Sequence, residues 1–128
     1  METFRILSVE DDANLALLLE ARLKAADYDV RTANNAAEAY RTFLTFKPHL
    51  LLMDIAIGDE NGLDLVKRIR SQDDNIRTIY MTGDLDRYRS ALIKERKLHH
   101  AEVIAKPFKA EELITVISAQ ARSQQKAA

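Results

Sequence analysis

Leu50-Leu51-Leu52-Met53-Asp54 is the stretch whose reading decides the fold: an apolar run that stops abruptly on a carboxylate. A run this short, entered just after Pro48, predicts a strand buried on both faces, as in a parallel sheet. The C-terminal ends of such strands border the crevice where open α/β sheets bind ligands and do chemistry. Asp54 stands at that end. The following Ile55-Ala56-Ile57-Gly58-Asp59-Glu60-Asn61-Gly62 reads as a loop that re-enters a helix. Asp54 is therefore the candidate reactive residue, and the rest of the chain is the apparatus that places it.

Upstream of this strand, Arg5-Ile6-Leu7-Ser8-Val9 predicts a first strand ending on Glu10-Asp11-Asp12. Leu15, Leu18, Leu19 and Leu23 recur at helical spacing over residues 14–26 and should face inward. Residues 28–33 alternate as a second, more polar strand suited to an edge. Asn35-Ala36-Ala37-Glu38 has capping-box spacing, and the helix it opens carries Ala39, Tyr40, Phe43 and Leu44 on one face before Pro48 ends it.

Downstream, a third helix opens near Gly62 with Leu63, Leu65, Val66 and Ile69 inward. Thr78-Ile79-Tyr80-Met81 is the fourth strand, running into Thr82-Gly83-Asp84. A less hydrophobic helix over 86–98 carries Tyr88, Leu92 and Ile93. Glu102-Val103-Ile104-Ala105 is the fifth strand, followed at once by Lys106-Pro107-Phe108, and a last helix from about Ala110 buries Leu113, Ile114 and Ile117. Five β–α units in strict alternation, joined by short right-handed crossovers, make an α/β fold built on a doubly wound five-stranded parallel sheet. Residues 1–122 form one domain and the small polar stretch 123–128 a frayed tail or linker remnant.

The totals narrow the function. With 128 residues, 19 basic and 20 acidic, the chain is one domain of net charge -1, so neither nucleic acid nor an anionic membrane is expected as its main partner. The absence of cysteine excludes disulfides, thiol catalysis and cysteine-ligated metal centres. No apolar run is long enough to cross a bilayer and the N-terminus lacks a signal-peptide pattern, so a soluble cytoplasmic protein is expected. His49, His99 and His100 have no zinc-site spacing and read as structural or solvent-exposed.

What remains is a coincidence of polar residues at strand ends: Glu10 and Asp11 after the first, Asp54 after the third, Thr82 after the fourth and Lys106 after the fifth. In a doubly wound sheet those ends share one rim. Each residue alone has a plain reading, since acids between strand and helix are commonly caps and a Lys-Pro pair is commonly a turn. Together they point further. Crowded carboxylates repel, and a divalent cation such as Mg2+ (or Mn2+) relieves that repulsion with oxygen ligands. Lys106 supplies a compact positive charge, Thr82 a hydroxyl donor, and Gly83 an accessible amide. Such groups around a nucleophilic carboxylate suit phosphoryl transfer, with an aspartyl phosphate as product.

On these residues the chain resembles the receiver domain of two-component response regulators over about residues 5–118. Val9-Glu10-Asp11-Asp12 is similar to the acidic signature after the first strand. Leu52-Met53-Asp54 with Gly62 is similar to the phosphoacceptor and its loop, and Met81-Thr82-Gly83 and Ala105-Lys106-Pro107-Phe108 to the threonine and Lys-Pro signatures. The resemblance implies a flavodoxin-like strand order 2-1-3-4-5 and phosphorylation of Asp54 by a phosphohistidine on a histidine kinase or a phosphotransfer protein. It further implies metal binding by Glu10, Asp11, Asp54 and the Ala56 carbonyl, a grip on phosphoryl oxygens by Thr82 and Lys106, and signalling through contact with a downstream protein. Such a chain is not a conventional enzyme, but catalyses its own phosphorylation and slow dephosphorylation.

Three positions depart from the family pattern. Gly58 replaces the usual loop proline, which predicts a more mobile loop. Val103 occupies the position of a frequent aromatic switch, so a signal would have to run through the loop and helix after Thr82. Ala56 cannot orient an attacking water through its side chain, which predicts slow loss of the phosphoryl group. The alternatives are a receiver excised from a hybrid kinase or longer regulator, a receiver that binds a partner without phosphorylation, and an aspartate-nucleophile phosphatase of the haloacid-dehalogenase type. The phosphatase needs an acid where Ala56 stands. A nucleotide- or flavin-binding domain is disfavoured because no G-x-G-x-x-G or P-loop follows the first strand.

Overall fold

The computed structural model of the protein describes residues 3–127. In chain order the elements are β1 (Arg5–Val9), α1 (Ala13–Ala25), β2 (Asp29–Ala33), α2 (Ala36–Phe46), β3 (Leu50–Asp54), β4 (Ala56–Ile57), β5 (Glu60–Asn61), α3 (Gly62–Arg70), β6 (Arg77–Thr82), α4 (Leu85–Leu98), β7 (Ala101–Ala105) and α5 (Ala110–Ala127). The main sheet runs β2-β1-β3-β6-β7, with every pairing parallel. With the two-residue strands β4 and β5 set aside as a separate hairpin, this is the expected order 2-1-3-4-5.

Strand alternation sorts the core into two layers. Leu7, Val9, Leu51, Met53 and Tyr80 face α2, α3 and α4, where they meet Ala39, Phe43, Val66, Ile69 and Leu92. Ile6, Leu50, Leu52, Ile79 and Met81 face α1 and α5, where they meet Leu19, Leu23, Leu113 and Ile117. All five residues of β3 are buried, which is why that strand reads as an unbroken apolar run rather than an alternating one.

Helix starts follow local chemistry. Asp12 caps α1 by accepting the amides of Asn14 and Leu15 at 3.0 and 3.2 Å, and Asn35 caps α2 by accepting that of Glu38 at 2.8 Å. Lys47, with φ of 50°, closes α2 in the left-handed region just before Pro48.

Three apolar residues expected inside lie outside: Leu18, Leu44 and Ile93 are 51%, 47% and 55% exposed. Each falls beside the buried stripe of its helix, because helical spacing marks a broad face while the sheet covers a narrower one. The stretch from 123 onward, expected as a frayed tail, continues α5 as far as Ala127, and residue 128 lies outside the described residues. Part of the cause is Arg77 at the start of β6, whose guanidinium donates to the side-chain oxygens of Gln120 and Gln124, both at 2.9 Å.

Leu51 is fully buried in the central strand. Leu51→Ala is expected to lower the unfolding free energy by about 3 kcal/mol, read as a lower urea midpoint at unchanged slope.

Candidate functional site

The site is made by four neighbouring strands ending level with one another. Register pairs Val9 with Met53, Asp54 with Met81, and Thr82 with Ala105, so Glu10, Asp54, Thr82 and Lys106 all emerge at one rim. Glu10, Asp54 and Thr82 are buried there, at 1%, 4% and 4% exposure, while Asp11 is exposed. Asp12, next in the acidic run, is spent as the α1 cap.

The Lys106 ammonium donates to Glu10 Oε2 at 2.8 Å and to Asp54 Oδ2 at 3.1 Å. Its backbone is fixed by its own amide, which donates to the Thr82 carbonyl at 2.8 Å, and it precedes a cis bond to Pro107. The second oxygens of the two acids are held from the main chain, Glu10 Oε1 by the Asp12 amide at 3.1 Å and Asp54 Oδ1 by the Ala56 amide at 3.2 Å. Thr82 Oγ1 accepts the Asp84 amide at 3.0 Å, and Asp84 in turn caps α4 through the Arg87 amide at 3.2 Å.

These positions explain the protonation balance. Burial pushes the Glu10 carboxyl up to about 7 against the opposing hydrogen bonds from Lys106 and Asp12, and neighbouring Asp54 adds to the rise. Burial alone would lower Lys106, but its bonds to Glu10 and the charge of Asp54 outweigh that and hold it above the ordinary lysine value. The ammonium is therefore a fixed positive charge wedged into an acidic rim.

Glu10, Asp11 and Asp54 each present a carboxylate oxygen, all lying within 4.8 Å of one another, the one such group among the described residues. Hard oxygen donors crowded at this spacing fit a divalent cation of the magnesium type.

The loop after β3 is where the structure departs from expectation. It is a hairpin, in which Ala56 pairs with Asn61 and Ile57 with Glu60 around Gly58. Gly58 has φ of +59°, and its N–H donates to Asp11 Oδ2 at 2.7 Å. Proline could supply neither that angle nor that proton. The glycine that predicts a looser loop thus ties the loop to an acid of the site. Gly62 is equally constrained: a Cβ there would lie 2.2 Å from the Asp54 carbonyl oxygen and 2.9 Å from Met53 Cγ, so only glycine lets α3 begin against the end of β3.

All five predicted site side chains thus reach one rim, with Glu10, Asp11, Asp54 and Lys106 clustered and Thr82 tied to the α4 cap. The hairpin and the Gly58 amide escape a pattern reading because two-residue strands carry no periodicity. The glycine itself was the available signal. The histidines lie elsewhere: His49 Nδ1 accepts the Arg5 amide at 2.9 Å and its ring stacks on Phe4, while His99 and His100 follow α4.

The sequence model of the response regulator receiver domain matches residues 6–118. The DNA-binding transcriptional regulator NtrC of Bradyrhizobium sp. (strain RP501 Parasponia) is 32% identical over 112 residues, 88% of this chain and 23% of that protein. The chain thus spans about a quarter of the length of this curated relative. Among solved structures, the receiver domain of NtrX from Brucella abortus is 26% identical with a TM-score of 0.78, covering 90% of this chain and 96% of that one. A CheY-like receiver domain protein from Methanospirillum hungatei JF-1 shares the fold at a TM-score of 0.88 and 24% identity, covering 99% of this chain and 100% of that one.

Gly58→Pro removes both the left-handed angle and the donated proton, whereas Gly58→Ala keeps the proton. The proline variant is expected to lose about 1–3 kcal/mol of stability and the alanine variant less. Urea unfolding of both, with amide exchange over 56–61, checks the order.

Proposed function

The chain belongs to the response regulator receiver domain family of two-component signalling, and on that premise we propose that Asp54 is its phosphoacceptor. The observation that carries this is the Lys106 ammonium held between Glu10 and Asp54 at 2.8 and 3.1 Å within a cluster of three carboxylates. One Asp54 oxygen attacks the phosphorus of a phosphohistidine on a histidine kinase or phosphotransfer protein. The new O–P bond forms as the P–N bond breaks, and the imidazole leaves with the electron pair and takes up a proton.

Each residue has a place in this scheme. The Ala56 amide orients the Asp54 carboxylate from Oδ1. Lys106, already bonded to Asp54 Oδ2, redirects an N–H donor to a phosphoryl oxygen while keeping its charge, and the Thr82 hydroxyl donates to another. Glu10, Asp11 and Asp54, joined by the Ala56 carbonyl, would hold Mg2+ or Mn2+, which supplies neutralisation of charge on the transferring group. Receiver domains generally bind Mg2+ through an acidic cluster of this kind.

Membership of the family implies a phosphodonor kinase and a downstream protein target as partners. The printed name of the NtrC relative speaks of DNA binding, which belongs to that longer protein. We assign this domain no nucleic-acid contact, in keeping with its near-neutral charge. No helix among the described residues is long and apolar enough to cross a membrane, and a cytoplasmic location completes the proposal. A haloacid-dehalogenase-type phosphatase is the weaker reading, since the methyl of Ala56 offers no general acid two residues after Asp54.

Incubation with acetyl phosphate and Mg2+ should label the protein by intact mass, and Asp54→Asn should abolish the label. Full labelling of Asp54→Asn would move the acceptor elsewhere. In the labelled protein, Ala56→Asn should speed loss of the phosphoryl group by supplying a side chain that orients water; an unchanged decay rate would count against that role for position 56.

A further inference from the structure

Helix α4 follows directly from the Thr82 rim, yet it is thinly attached. Its buried residues are Leu92 and Glu95, and Leu85, Ile93 and Leu98 are 40%, 55% and 63% exposed. A glutamate therefore shares the contact between this helix and the body with Leu92 and the partly buried Tyr88. A carboxylate leaves water only at a cost unless its oxygens are satisfied.

Glu95 is satisfied completely. Its Oε1 accepts the Tyr80 hydroxyl at 2.5 Å and Arg70 Nη2 at 2.5 Å, and its Oε2 accepts Arg70 Nη1 at 3.2 Å. The Arg70 and Glu95 side chains are 9% and 11% exposed, and Tyr80 is fully buried. One carboxylate thus joins three elements: the last residue of α3, the middle of β6 and the third turn of α4. Burial alone would raise the Glu95 carboxyl, but the bonds from Arg70 and Tyr80 and the Arg70 charge lower it below the ordinary value, so it stays ionised and paired.

The place of Tyr80 gives this network its meaning. Tyr80 precedes Thr82 by two residues on one strand, so both side chains leave β6 on the same face. Its register partner on β7 is Val103, a small aliphatic residue. The aromatic group at this level of the sheet therefore sits on β6, with its hydroxyl committed to α4.

From these contacts we infer that the Tyr80–Glu95–Arg70 network is a latch that holds α4 in one position on the body and carries displacement of the Thr82 end of β6 into that helix. The holding part stands on the structure alone; the transmission part rests on the phosphoacceptor reading given above. The fork of Arg70 fixes Glu95 sideways, and the Tyr80 hydroxyl reports the position of β6. A shift of Thr82 toward a phosphoryl group draws Tyr80 along the strand, strains its bond to Glu95 and loosens the helix. This route needs no aromatic at position 103.

Hydrogen exchange tests both parts on the full chain, using Glu95→Gln, which keeps the shape and removes the charge, and Tyr80→Phe, which removes one hydroxyl. In the unlabelled protein, α4 amides should exchange at least about tenfold faster in each variant while β3 amides remain as in the wild type. Unchanged α4 exchange, or an equal rise in β3, would overturn the latch, and Tyr80→Phe decides the matter should Glu95→Gln fail to fold. After acetyl phosphate and Mg2+, wild-type α4 should exchange faster than before, and Tyr80→Phe, labelled to the same extent by intact mass, should show little further change. An equal further rise in Tyr80→Phe would overturn the transmission. Absence of any label on the wild type would overturn the phosphoacceptor reading instead, while the unlabelled comparison still decides whether the latch holds α4.

Discussion

One ammonium group holds the functional rim together. Glu10 and Asp54 leave adjacent parallel strands with buried carboxylates at one rim, where burial raises the Glu10 carboxyl and repulsion from Asp54 adds to the rise. Lys106 sits between them and converts that repulsion into two charge-assisted hydrogen bonds. The arrangement works only because β1, β3, β6 and β7 end in register. The Lys106 amide also bonds to the Thr82 carbonyl, tying the cation to the strand on its other side. A cation shared between two acids is what a metal ion or a phosphoryl group can exploit, since each brings its own charge to the rim.

The backbone around β3 shows how closely the Asp54 carboxylate is surrounded. Gly62 lies against the Asp54 carbonyl with no room for a side chain, and its own amide donates to the Ile55 carbonyl at 2.7 Å. Asn61 caps the helix that starts there, and Glu60 reaches the Ala36 amide at the head of α2. Gly58 closes the intervening turn and reaches Asp11. The loop is thus bonded at both ends and at its tip. Helix α4, by contrast, meets the body through Leu92, the partly buried Tyr88 and the paired Glu95.

Much of this was legible in the sequence. The buried run of β3 and the five alternating β–α units led to the doubly wound parallel sheet, the family resemblance implied its order, and the helix starts fell within a residue or so, whereas α5 runs on past the expected tail to Ala127. The site was legible because its residues stand next to strand ends, whose convergence follows from topology alone. Periodicity was less informative where burial is partial: Leu18, Leu44 and Ile93 obey helical spacing yet face outward. For α4, the apolar pattern concealed that the inward position after Leu92 is the charged Glu95.

The sequence by itself determined the fold class, the strand that carries Asp54, and the identity of the five rim side chains, because short-range pattern and strand order are local and topological properties. Tertiary structure alone decided which of the acids meet the lysine, that the Gly58 amide bonds to Asp11, and that Tyr80, Glu95 and Arg70 share one buried bond network. Those facts depend on distances between residues far apart in the chain and on the desolvation each contact imposes. Neither quantity exists until the sheet has closed and the helices have packed on it.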